Sequence, residues 1–210
     1  MLWEELRVGE RLPPAFWLGV ALKSLLALLL LLPLFLPDLE QFDGKGMNWR
    51  VLVYPLAAVI VPLLWRATGS QPPYPYLADN LIVLPAISDV LWNTLDAYER
   101  VGWWDDVNHL VNSVVFAAVI GLWASRYPLS ATVRLGLALG LGMTLQVLWE
   151  LGEYMVFIAN ATDVPDAYQD TIGDLTLDLV GSLLGAAFAL YATTETVSEA
   201  EPALATRTAE

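Results

Sequence analysis

The chain has 210 residues, of which 57% are hydrophobic and only 16% charged, yet its formal net charge is −13. A soluble domain carries roughly 25% charged residues, so the composition points to a membrane and the acid surplus excludes a nucleic-acid binder, which needs a basic stripe. No cysteine is present, which also excludes a disulfide scaffold and a thiolate metal centre.

Residues 1–14 form an N-terminal interfacial segment. The first apolar run, Ala15–Leu36, holds one charge, Lys23, in 22 residues and is closed by Pro33 and Pro37. It exceeds a signal-peptide core and lacks a small-x-small cleavage site, so it is expected to be a retained helix. Trp49–Trp65 follows, then a Pro-rich loop at Gln71–Pro75, then Leu77–Tyr98, Val107–Ala124, Ala131–Ala159 and Leu175–Ala192. About 20 apolar residues span a bilayer core. The expected fold is therefore all-α, a polytopic membrane helical bundle of six transmembrane helices over residues 15–192, with an acidic, disordered tail over 193–210. Tryptophans sit where an interfacial belt would put them: Trp49, Trp65, Trp103, Trp104 and Trp123. Gly136–Gly140 and Gly181–Gly185 match the small-xxx-small spacing that lets helices approach closely.

With the N-terminus inside, the inner basic residues are Arg7, Arg11, Lys23, Arg66, Arg126, Arg134 and Arg207, and the outer ones Lys45, Arg50 and Arg100. The positive-inside rule then places both termini in the cytoplasm of a multi-pass plasma-membrane protein. Asp163, Asp166 and an Asn160-Ala161-Thr162 sequon fall in an outer loop.

Much of the acidity is bland: four acids in the tail, three near the N-terminus and three in the first outer loop. Five others lie inside the apolar runs: Asp89, Asp96, Glu150, Glu153 and Asp178. Each charged side chain at a helix centre costs roughly 2.5–3.5 kcal/mol, so these acids need protons, partners, water or a cation. Of the basic residues, Arg134 alone lies within the third to sixth runs, near their opposite end, so ion pairing is not expected to supply the compensation. Helical spacing groups the acids. Asp89, Asn93 and Asp96 share a face of the third run, and Gln146, Glu150 and Glu153 a face of the fifth. Asp170, Asp174 and Asp178 lead into the sixth, and Asp105 and the single histidine, His109, stand one turn apart at the start of the fourth. On this topology all four groups fall in the outer half of the membrane, facing one cavity.

In Asp105-x-x-x-His109, Glu150-x-x-Glu153 and Asp170-Thr171-x-x-Asp174-Leu175 with Gly181 beyond, the sequence resembles the YjdF-like family of uncharacterised polytopic inner-membrane proteins. More distantly it is similar to VanZ-like membrane proteins, which are linked to glycopeptide resistance. The likeness covers roughly residues 77–190 and implies that these polar residues act as a group; it implies no activity.

Three functions follow from the residues. The first is a metal-dependent hydrolase or transferase of the outer membrane face. Its ligands would be Asp105, His109, Glu150, Glu153, Asp170 and Asp174, with Asp89, Asp96 and Asp178 supporting them or moving protons. Carboxylates with one histidine suit a hard or borderline divalent ion, singly or as a pair, and a membrane lipid or lipid-linked group is the expected substrate. The second is a proton- or cation-coupled transporter or channel, for which Asp79 and Asn80 are the inner candidates. The third is a membrane scaffold whose acids hold a structural ion.

Overall fold

The computed structural model describes residues 12–70, 72–158 and 166–207. The N-terminal segment up to residue 11, the sequon at Asn160 and Asp163 lie outside the described residues. Among the described residues every regular element is a helix, as the apolar runs require: backbone groups in lipid must be satisfied within the segment. The main helices are α1 (Pro14–Phe35), α2 (Met47–Val53), α3 (Pro55–Ala67), α4 (Tyr76–Leu81), α5 (Leu84–Thr94), α6 (Ala97–Arg100), α7 (Trp104–Ala124), α8 (Ala131–Glu153) and α9 (Ala167–Arg207). One 3-10 turn (Glu40–Phe42) and one π turn (Tyr154–Ile158) complete them. The protein is an all-α polytopic membrane bundle. α9 continues beyond its apolar part into the acidic segment from 193.

Among the described residues five helices are long and apolar enough to cross a membrane: Pro14–Phe35, Met47–Ala67 (α2 and α3 together), Trp104–Ala124, Ala131–Val156 and Ala167–Thr193. Their outward side chains, among them Leu28, Phe35, Leu52, Leu148 and Tyr191, are exposed and apolar, which is the surface lipid would cover.

The third run departs from the six-helix expectation, because it is not one helix. Pro85 has no N–H to give the carbonyl of Leu81 and its ring crowds that turn. α4 accordingly stops at Leu81, and the ladder resumes with Ile87 N–H bonded to Val83 O at 3.1 Å. At the far end Asp96 adopts a left-handed conformation, φ 58°, and separates α5 from α6. The segment nonetheless runs the length of the bundle. Asn80 Nδ2 donates to Ala15 O at 3.0 Å and Lys23 Nζ to Asp79 at 2.8 Å, beside the N-terminal half of α1. Glu99 meets Lys45, past the C-terminus of α1. Residues 76–100 thus run alongside α1 in the same direction, from one end of the bundle to the other, as three short helices.

Two packing units hold the chain together. Leu26 and Leu30 of α1 pack with Phe42, Met47, Val83, Ala86, Ile87 and Val90. α7 and α9 come closer than side chains normally permit: a Cβ on Gly181 would stand 2.4 Å from Leu110 O, and one on Gly185 2.1 Å from Val114 O. The Gly181–Gly185 spacing therefore does serve close approach. Gly136–Gly140 does not do so among the described residues, none of which lies within 4 Å of a Cβ at either position; both glycines sit on the outward side of α8.

Candidate functional site

The close α7–α9 contact brings polar residues of three helices together at the end of the bundle where α7 and α9 begin and α8 ends. His109, two turns into α7, is at the centre and buried. Its Nδ1 lies 3.3 Å from both carboxylate oxygens of Asp178 and 3.7 Å from Glu150 Oε1. Its Nε2 lies 3.8 Å from Asp105 Oδ1 and 4.0 Å from Asp174 Oδ2.

Asp178 is fully buried, at 0% exposure, and an anion there must be fully hydrogen-bonded. Ser113 Oγ donates to its Oδ1 at 2.5 Å and Gln146 Nε2 to the same oxygen at 2.7 Å; Gln146 also donates to Ser113 Oγ. Glu153 Oε1 accepts from Trp149 Nε1 at 3.0 Å. Glu150 is different: its side chain is only 8% exposed, and its Oε1, facing His109, has no hydrogen-bond partner among the described residues. Asp105 is the opening to solvent, with 42% of its side chain exposed.

Two overlapping sets have metal-ligand geometry, each with its ligand atoms within 4.8 Å of one another: Asp105, His109 and Asp174, and His109, Glu150 and Glu153. Five of the six expected ligands are thus brought together. Asp170 is not: it is exposed in the first turn of α9 and belongs to neither set. Asp178 joins the group as the partner of His109.

Asp89 and Asp96 stand elsewhere, and here the expectation that basic residues supply no pairs is wrong. Arg50, in the first turns of α2, extends its side chain to α5; its Nε donates to Asp89 Oδ2 at 2.6 Å and its Nη2 to Oδ1 at 3.3 Å. Tyr54 Oη adds a bond to Asp89 Oδ2 at 2.7 Å, and Asn93 Nδ2 one to Oδ1 at 3.2 Å. Asp96 lies at the bundle's end and is bonded by Arg100 Nε at 2.9 Å. Asp79, at the opposite end, is paired with Lys23.

Sequence reasoning passed over Arg50, Tyr54 and Trp149. The Arg50 guanidinium lies 5.3 Å from the centre of the Trp149 ring, and Trp149 holds Glu153, so the Asp89 network and the histidine cluster are neighbours. The available signal was the position of Arg50 at the mouth of an apolar run, where a long side chain can reach inward along its own helix.

The family described as "Predicted membrane protein (DUF2238)" matches residues 20–195. The chain belongs to this family. The matched residues run from within α1 into α9 and include every member of the cluster around His109. Among curated proteins and among solved structures nothing matches.

Proposed function

We propose that this DUF2238 member holds a divalent cation in the cluster around His109, at the outer face of the plasma membrane, and acts there on a lipid or lipid-linked group. One observation carries the reading. Asp105, Glu150, Glu153, Asp174 and Asp178 surround one imidazole, and among the described residues no lysine or arginine is ion-paired with any of them. Carboxylates withdrawn from water and crowded together repel one another. A bound cation relieves both costs, and the oxygen-rich donor set with one imidazole suits Mg²⁺, Mn²⁺, Fe²⁺, Ca²⁺ or Zn²⁺. Glu150 Oε1, buried and without a hydrogen-bond partner among the described residues, is a further donor atom turned to the same imidazole.

The substrate class follows from depth. At about 1.5 Å per residue, His109 and Glu150 stand within roughly 10 Å of the near ends of their spans. Asp105 opens the cluster on that side, at the level of a lipid's headgroup and ester linkages. Orientation rests on the excess of arginine and lysine at the other end. The likeness to YjdF-like and VanZ-like proteins rests on three motifs, most of whose residues meet around His109.

A transporter would need polar groups along the whole passage. Its inner candidates, Asp79 and Asn80, are already engaged by Lys23 and Ala15 O. Complementation of a strain lacking the gene, read by comparing lipid extracts, separates the two. The wild-type chain and Asp79→Asn are expected to restore the lipid profile and Glu150→Gln to fail. A chelator confined to the outside should reproduce the Glu150→Gln pattern. Equal damage from Asp79→Asn and Glu150→Gln would favour transport instead.

A further inference from the structure

The two ligand sets share His109, and its two ring nitrogens are not equivalent. Nδ1 faces Asp178, equidistant at 3.3 Å from both oxygens, and Asp178 is itself locked by Ser113 and Gln146. Nε2 faces Asp105 and Asp174 at 3.8 and 4.0 Å, too far for hydrogen bonds and close enough for all three to converge on one ion. A buried imidazole beside a carboxylate places its ring proton on the nitrogen facing that carboxylate, which leaves the other nitrogen's lone pair free.

We infer that the cation proposed above is bound by Nε2 of His109 together with Asp105 and Asp174, and that Asp178 is a positioning residue that holds Nδ1–H and makes no bond to the ion. This rests on the metal-binding reading and assigns it to particular atoms. What goes beyond an acidic cluster is the buried imidazole itself: Nε2 is turned to Asp105 and Asp174 and hydrogen-bonded to neither, while Asp178 stands at the other nitrogen. Glu150 lies on the Nδ1 side, where Asp178 already stands, and with Glu153 it belongs to the other ligand set. Asp105, the exposed member, is the side from which an ion enters.

His109 is the single histidine in the chain, which gives an unambiguous probe. The full-length protein is purified with isotope-labelled imidazole nitrogens and loaded with Cd²⁺, and nitrogen–cadmium coupling is recorded. Coupling is expected at Nε2, with Nδ1 protonated. Asp178→Asn should weaken Cd²⁺ binding ~10–100-fold, as loss of a carboxylate behind a ligating imidazole does, and should populate the other ring tautomer. Glu153→Gln should leave the coupling at Nε2.

Coupling at Nδ1, or stoichiometric Cd²⁺ without coupling to either nitrogen, would overturn the assignment while the metal-binding reading stands. Failure to bind Cd²⁺, Zn²⁺ or Mn²⁺ at all would overturn that reading and the assignment with it. The wild-type spectrum decides the case even where Asp178→Asn does not fold.

Discussion

Gly185→Leu is expected to be among the most destabilising single substitutions in the chain. A Cβ at this position stands 2.1 Å from Val114 O, 2.9 Å from Val114 C and 3.0 Å from Ala118 N. All three are backbone atoms of α7, so no rotamer change relieves the overlap and the two helices must separate. Gly181, one turn away, meets Leu110 O in the same manner, and Ala118 and Asp178 of the two helices are buried. Over-packing a tight core costs about 1–3 kcal/mol and more where backbone must move; about 3 kcal/mol or above is expected here. The separation also carries Asp174 and Asp178 away from His109, so cation affinity should fall together with stability. Gly136→Ala, on the outward side of α8 with nothing within 4 Å of the added carbon, is the control. It should be neutral or slightly stabilising, since alanine is the better helix former by up to about 1 kcal/mol. Thermal melting in detergent reads both. A Gly185→Leu protein that melts like wild type would mean that α7 and α9 are not in contact there.

Arg50→Met should be nearly as costly, by a different route. The substitution keeps an apolar stem against Trp149 and removes the charge that compensates Asp89. Asp89 is buried at 5% exposure and would keep only Tyr54, Tyr98 and Asn93 as neutral donors. Removing one partner of a buried ion pair costs roughly 3–5 kcal/mol, chiefly through the uncompensated charge left behind. The double variant Arg50→Met, Asp89→Asn removes that charge and should recover much of the lost melting temperature. If the double variant is no more stable than Arg50→Met alone, the loss comes from packing around Arg50 and not from the stranded carboxylate.

These two contacts show how unevenly the sequence discloses the structure. The cluster around His109 was legible because an acid inside an apolar run has to be compensated, and helical spacing states which acids share a face. Asp105 with His109, Glu150 with Glu153, and Asp174 with Asp178 each came from one helix, and their meeting followed from all three lying near the same membrane face. Asp89 follows the same spacing rule and ends in a different network. Its partner is 39 positions away, and the rotation of α2 relative to α5 has no signature in either segment. Asp170 fits the i, i+4, i+8 series, yet it sits in the first turn of α9, beyond the burying contact with α7.

The third passage was legible in length and not in continuity. Pro85 was a readable break, but a hydropathy count gives a proline no power to interrupt a run. The glycine pairs carry the converse lesson. Gly181–Gly185 and Gly136–Gly140 have the same spacing, which licenses close approach without naming a neighbour, and within this chain α7 takes up the first pair alone.

Elemental analysis of the purified full-length protein, paired with thermal melting before and after EDTA, tests the cation at its source. Near one divalent ion per chain is expected, with a melting temperature that falls on chelation and recovers when the ion is restored. His109→Ala should lose both the ion and the response to EDTA. Protein that is metal-free as purified, takes up no divalent ion and melts at the same temperature with and without EDTA would contradict the reading of the His109 cluster as a metal site.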